Sequence, residues 1–278
     1  MENFFDWGLT ADLLAYGFVR DMLLAGAVLG LVAGVLGPLV VSRRMAFAVH
    51  GTSELAFTGG AAALLLGVGV GYGALAGSVV AALLLGLLSG RESDRDSVIG
   101  AVLAFGLGLG VLFQALYSGR AANKFGLLVG QVVSVGSTDL WLLVGSSAAV
   151  LAVLALIYRP LLFASVDPAV ALARGVPLRA LAVVFAVLVG VATALSVQVV
   201  GALLVLSLMI TPAAAASRVT ASPLRATVLA VVFAEVSVLG GMLLSLAPGM
   251  PVSVFVTAVS FLIYLVCRFA SRKRERVH

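Results

Sequence analysis

Charge is what this sequence has least of. Asp, Glu, Lys and Arg make up 10% of its 278 residues, against roughly a quarter in a soluble domain, which excludes a soluble enzyme. Cysteine occurs once, at Cys267, so an intramolecular disulfide framework and a cysteine-rich metal site are both excluded. The two lysines, Lys124 and Lys273, follow Asn123 and Arg272. No Gly-Lys-Ser/Thr phosphate loop therefore exists, and ATP is not hydrolysed by that route. His50 is followed by Gly51 and Thr52, so a zinc-protease helix motif is missing too. The net charge of +5 comes from basic residues scattered between apolar runs, a pattern that speaks of membrane topology and against a nucleic-acid partner.

What is present is apolar: 62% of the residues are hydrophobic. A hydrocarbon core takes about 20 apolar residues to cross. Dividing the charge-free stretches by that length predicts spans at 22–41, at 97–117, 140–158, 178–196, 199–217, 224–246 and 251–267. Two more fall in the uncharged stretch 55–90, the first entering from about Ala46, with Gly67, Gly69, Gly71 and Gly73 supplying the turn between them. The expected fold is an all-α polytopic transmembrane bundle of about nine segments. Residues 180–217 carry no charge and are barely long enough for two crossings. One of those two helices is expected to be short, tilted or broken near Ser196 and Gln198, and Gln198 becomes a pathway candidate.

Three basic residues, Arg20, Arg120 and Lys124, fall in one set of alternate loops, and the other 14 of the 17 fall in the opposite set. By the positive-inside rule the N-terminus is then outside and the C-terminus cytoplasmic. Residues 1–21 do not read as a signal peptide. Phe4, Phe5, Trp7, Leu13, Leu14 and Phe18 interleave there with Asp6, Asp12 and Arg20, which predicts an external amphipathic segment lying on the membrane surface. Residues 22–268 form the permease domain, with a cytoplasmic coupling region at about 159–177, and 269–278 are a basic cytoplasmic tail. Glycines at four-residue spacing (Gly26, Gly30 and Gly34; Gly69, Gly73 and Gly77; Gly106 and Gly110) predict close helix contact.

Ionisable groups within a bilayer are expensive and are functional candidates by default. His50 and Glu54 lie four residues apart in the second span, on one helical face, and Glu235 lies in the eighth. Counting at about 1.5 Å per residue puts them roughly 8, 14 and 17 Å from the cytoplasmic side, so the three are expected to meet near the midplane, with the eighth span facing the second. An imidazole and carboxylates suit a divalent cation of the zinc or manganese type. His278 is terminal and reads as a tail residue.

Four segments carry a resemblance: RRMAF (43–47), LLVGQVVSV (127–135), YRPLLFASVDPAVALARGVP (158–177) and QVVGALLVLSLMITPAAAASR (198–218). With them the chain resembles the membrane permeases of the zinc and manganese uptake ABC transporters over about residues 22–266. In that family the second span usually carries an aspartate, a histidine four residues on, and then Pro-Gly. Here the matching positions are His50, Glu54 and Thr58-Gly59, which suggests a divergent subgroup such as the actinobacterial zinc importers. The resemblance implies a transport subunit in a bacterial cell membrane that is not itself an enzyme and holds no permanent cofactor. It implies ATP bound on a dimeric ABC ATPase at the cytoplasmic side, a second copy of the chain, and an extracytoplasmic metal-binding receptor. Ser165, Asp167, Pro168 and Ala171 would then belong to the helix that docks into the ATPase, Asp167 and Pro168 capping and opening it. Zinc is the expected ion, with manganese as the alternative. A permease for metal chelates and a proton-coupled secondary carrier using Glu54 or Glu235 are the competing functions.

Overall fold

A computed structural model of the chain describes residues 7–88, 95–119, 137–202 and 205–275. The LLVGQVVSV segment, Arg120 and Lys124 lie outside the described residues. All regular structure among those described is helical, as expected. The elements are α1 (Trp7–Leu13), α2 (Gly17–Ser42), α3 (Ala46–Leu66), α4 (Val70–Leu88), α5 (Arg95–Leu116), α6 (Ser137–Val166), α7 (Pro168–Ala173), α8 (Leu178–Val200), α9 (Val205–Met209), α10 (Thr211–Val219), α11 (Pro223–Leu246) and α12 (Val252–Glu275). Among the described residues, α2, α5, α6, α8, α11 and α12 are long and apolar enough to cross a membrane, and α4 and the α9–α10 pair supply shorter apolar stretches.

Several boundaries move from their expected places, each for a local reason. The first span begins at Gly17, so residues 17–21 extend α2 and leave only α1 as a separate short helix. The turn between the second and third spans is compressed into Gly67–Gly69, with Gly67 in the left-handed region (φ 70°) that ends a helix without side-chain strain. The fifth span is longer than expected: α6 runs on through Pro160 to Val166, so the region 159–177, set apart in the sequence as cytoplasmic, starts inside this helix. The discontinuity between the sixth and seventh spans lies later than Ser196. Ser196 is buried within α8 and satisfies its hydroxyl by donating to Ala192 O at 2.8 Å. It is Gly201 (φ 87°) that ends α8, and the following segment is itself interrupted at Ile210, between α9 and α10. Pro212 sits in the first turn of α10, where its missing N–H costs nothing. The broken segment is held from the side by Ser260, whose hydroxyl donates to Ser207 O at 3.2 Å.

The expected glycine contacts are present except at Gly69, which lies in the turn before α4 and meets only Tyr72. On α2, Gly26 faces Met242 and Val238 of α11, Gly30 faces Glu235 and Gly34 faces Val231. The numbers rise on one helix and fall on the other, so α2 and α11 run antiparallel. Gly59 of α3 lies against Gly73 and Gly77 of α4, again antiparallel, while Gly106 and Gly110 of α5 lie against Glu54–Leu55 and Phe57–Thr58 of α3, in parallel. Gly241 of α11 meets Val256 of α12. Following these directions, the end of α2, the starts of α3, α5 and α11, and the end of α12 all lie at one side of the bundle. Between the helices Leu29, Leu36, Phe57, Leu154, Leu161, Phe185, Leu195, Met209 and Met242 are fully buried.

The glycine seams are the parts of the packing least able to absorb a side chain. A β-carbon at Gly34 would strike the backbone of Val231, whereas one at Gly240, on the other side of α11, meets nothing within 4 Å. Gly34→Ala is expected to destabilise the protein by about 1–3 kcal/mol through overpacking, and Gly240→Ala to be neutral or stabilising by up to about 1 kcal/mol. Thermal unfolding of the two variants in the same detergent checks the order, and equal midpoints would contradict the seam.

Candidate metal pathway and coupling helix

α3 carries a close run of buried polar side chains. It starts immediately after α2, through the three-residue turn Arg43–Met45, in which Arg44 takes a left-handed conformation (φ 53°) and Met45 N donates to Val40 O at 3.0 Å. Along the helix Thr52, Ser53, Glu54 and Thr58 are buried. The hydroxyls are satisfied on their own helix: Thr52 donates to Ala48 O, Ser53 to His50 O and Thr58 to Glu54 O, each at 2.8 Å. Thr58 Oγ1 also lies within bonding distance of Gly106 O on α5, at the close approach the α5 glycine permits.

Two atoms on this helix have no such partner. Among the described residues, His50 Nδ1 and Glu54 Oε2 are buried with no hydrogen-bond partner, and Glu54 is only 3% exposed. An unpaired polar atom in an apolar interior costs free energy that a native structure rarely leaves uncompensated. One turn apart on a single face, an imidazole nitrogen and a carboxylate oxygen are both donor atoms that a divalent transition-metal ion accepts. Together they could supply part of a coordination shell.

Glu235 lies elsewhere. Its carboxylate rests over Gly30 of α2, where a β-carbon would stand 3.0 Å from both Cδ and Oε1, and it reaches the backbone of Leu31. The side chain is half-buried. Among the described residues no three His, Cys, Asp or Glu side chains come together as a possible ligand group. Within one chain the eighth span does not pack along the second: α11 packs along α2, whose glycine stripe admits it, while α3 is enclosed mainly by α4, α5 and α8. Gln198 lies in α8, but its side chain is outside the described residues.

The segment after α6 has the cap expected of it. Asp167 Oδ1 accepts the backbone N–H of Val170 at 3.0 Å, Pro168 occupies the first turn of α7, and Ala171 is fully buried. Ser165 belongs to the end of α6, where its hydroxyl donates to Leu161 O at 2.7 Å. Its second partner comes from a distant part of the chain. Arg43 Nε donates to Ser165 Oγ at 2.8 Å, and the Arg43 guanidinium carbon lies 5.3 Å from the centre of the Phe185 ring on α8. Within the sequence Arg43 is one of many topology arginines, and nothing local to it signals a contact with a residue so distant in the chain.

Known proteins place this architecture. A family model described as the ABC 3 transport family matches residues 15–271. The chain is 29% identical over 264 residues to the manganese transport system membrane protein MntC of Halalkalibacterium halodurans, covering 95% of this chain and 90% of that one. It is 30% identical over 259 residues to a probable metal transport system membrane protein of Thermotoga maritima, covering 90% of each. Its fold superposes on a chain of PsaBC from Streptococcus pneumoniae, solved in complex with a Fab, with a TM-score of 0.84 at 24% identity over 94% of both chains. With its multi-pass helical bundle and a family match running over nearly its whole length, the chain belongs to the ABC 3 transport family.

Proposed function

We propose that this protein is the membrane permease of an ATP-driven importer of a divalent first-row metal ion, in which His50 and Glu54 receive the ion in transit. The observation that carries the reading is the buried, unpartnered pair His50 Nδ1 and Glu54 Oε2 in a chain of this family. Glu235 is a second acid of the pathway, carried on a different helix and held against α2. Two copies of the chain enclose the route, a metal-binding receptor delivers the ion from outside, and an ABC ATPase dimer docks against α7. The membrane is crossed about nine times, counting α3, α4 and the broken α9–α10 segment with the six long apolar helices. The N-terminus is outside, the basic end of the chain from residue 269, through which α12 continues to Glu275, is cytoplasmic, and α1 lies at the outer surface. The gathering of the arginine-bearing helix ends on one side of the bundle supports this orientation.

Manganese is the ion this reading favours. Two of the three candidate side chains are carboxylates, which suit harder ions, and the relative from H. halodurans is named for manganese transport. Zinc is the second reading, favoured by the His50 imidazole through the stability order of first-row metals. Proteoliposomes holding the permease with its ATPase separate the cases. ATP-dependent manganese accumulation that a tenfold excess of zinc fails to support as cargo is expected; accumulation of zinc alone would assign zinc. Uptake driven by a proton gradient without ATP would replace the importer by a secondary carrier.

The same assay tests the residues. Glu54→Gln keeps the side-chain shape and removes the charge, and is expected to lower metal uptake roughly tenfold or more, on the scale at which metal sites respond to altered ligation, while the complex still assembles. Glu235→Gln is expected to reduce uptake as well, because a carboxylate at this depth is costly to retain without a use. Near-normal uptake by Glu235→Gln would reduce its role to packing on α2 and leave the α3 pair standing. Bulky replacement of Asp167 and Ala171 should release the ATPase from a folded permease, and intact co-purification would remove α7 as the docking helix.

A further inference from the structure

We infer that Arg43 is the positioning residue that connects the ATPase-docking helix to the helix bearing His50 and Glu54. The inference rests on the reading of α7 as that docking helix. α7 is joined directly to α6 at one end, where Asp167 follows Val166, and to α8 at the other, through Gly175 and Pro177. Arg43 touches both flanks. On the α6 side its Nε donates to Ser165 Oγ, two residues before the Asp167 cap, at 2.8 Å. The Ser165 hydroxyl uses its own proton on Leu161 O, so its oxygen lone pairs are available to receive the arginine. On the α8 side the guanidinium lies over Phe185, 5.3 Å from the ring centre, and Phe185 is fully buried and therefore fixed in its helix.

The other end of the connection is short. Arg43 is the C-cap of α2, and only Arg44 and Met45 separate it from the first residue of α3. That turn is tied by Arg43 N to Leu39 O, Arg44 N to Val41 O and Met45 N to Val40 O at 3.0–3.1 Å, so it has little slack. His50 is in the second turn beyond it. Displacement of the flanks of α7 is thereby delivered at the base of the metal helix through one side chain. Only arginine has the geometry, since a planar guanidinium can give a directed N–H bond to a hydroxyl and stack on an aromatic face together. An ammonium group makes either contact as a point charge.

The test uses the assembled permease–ATPase complex in proteoliposomes, with metal transported and ATP hydrolysed measured in the same sample. Arg43→Lys is expected to keep ATPase co-purification and hydrolysis but to lower the ratio of ions moved per ATP roughly fivefold to tenfold, the scale of a contact coupling lost between neighbouring side chains. Phe185→Leu should lower the ratio in the same direction, and adding Ser165→Ala to Arg43→Lys should lower it little further, because both act on one contact. An unchanged ratio in Arg43→Lys, or a fall in thermal stability with the ratio preserved, would overturn the assignment. If Arg43→Ala fails to assemble, the lysine and leucine variants still decide. The two readings fail differently: α7 substitutions that leave the ATPase attached overturn the docking helix, whereas ATPase release by those substitutions together with a normal ratio in Arg43→Lys overturns Arg43 alone.

Discussion

A bilayer interior offers no water to a polar group, and the arrangement of this protein follows from that constraint applied to one helix. α3 carries His50, Thr52, Ser53, Glu54 and Thr58 within nine residues, too much polarity to face lipid. It is therefore the element that must be enclosed, and α4, α5 and α8 close around it. Hydroxyls can be neutralised by bonding back to carbonyls of the same helix, and those of α3 do so. An imidazole and a carboxylate with no basic partner among the described residues cannot. Enclosing them without a partner is a standing cost that a transient cation would relieve.

Enclosure without a hydrophobic driving force between helices demands close backbone approach, and glycine supplies it. The seams divide the work. Gly59, Gly73, Gly106 and Gly110 seal α4 and α5 onto α3, while Gly26, Gly30 and Gly34 seal α11 onto α2. Gly30 does something further, because the space left by its missing side chain is filled by a carboxylate. The α2–α11 seam thus stores the one acidic side chain of α11 in a slot that alanine would fill.

The fold class and the polar helix were legible in the sequence because both rest on simple counting: charge-free runs of bilayer length, a four-residue spacing of His50 and Glu54, and glycine stripes. The cap at Asp167 was legible for the same reason, since a cap is local chemistry. Helix ends were less so. Ser196 and Gln198 look like a polar break, yet a serine inside a helix can bond its own backbone, and the break passes to Gly201, whose conformation no periodicity reveals. Depth counting brings Glu235 level with His50 and Glu54 but carries no information about rotation around the bundle. Residues at equal depth on α3 and α11 face different neighbours, and only the glycine stripe of α2, read as a surface with one best partner, points to the correct one. Arg43 and Ser165 join positions whose separation in sequence exceeds any local pattern.

The packing also sorts the candidate groups into two sets of helices. α3 belongs with α4, α5 and α8, whereas Glu235 belongs with α2, α10, α11 and α12. α6 and α9 border both sets, and at the α9–α10 junction backbone bonds run through Ile210 (Ile210 N to Leu206 O and Ala214 N to Ile210 O, each at 2.8 Å) while Pro212 supplies no N–H to the ladder. Within one chain the distance from the α3 pair to Glu235 is therefore set by how the two sets sit against each other and not by a direct helix contact. On the proposed reading of these side chains as transient ligands, a cation passing from His50 and Glu54 to Glu235 would exchange ligands between the two sets instead of being held by all three at once. Binding that is weak enough to release is what a transporter needs, and dividing the ligands between two packing units is a way to obtain it from side chains that would otherwise hold the ion.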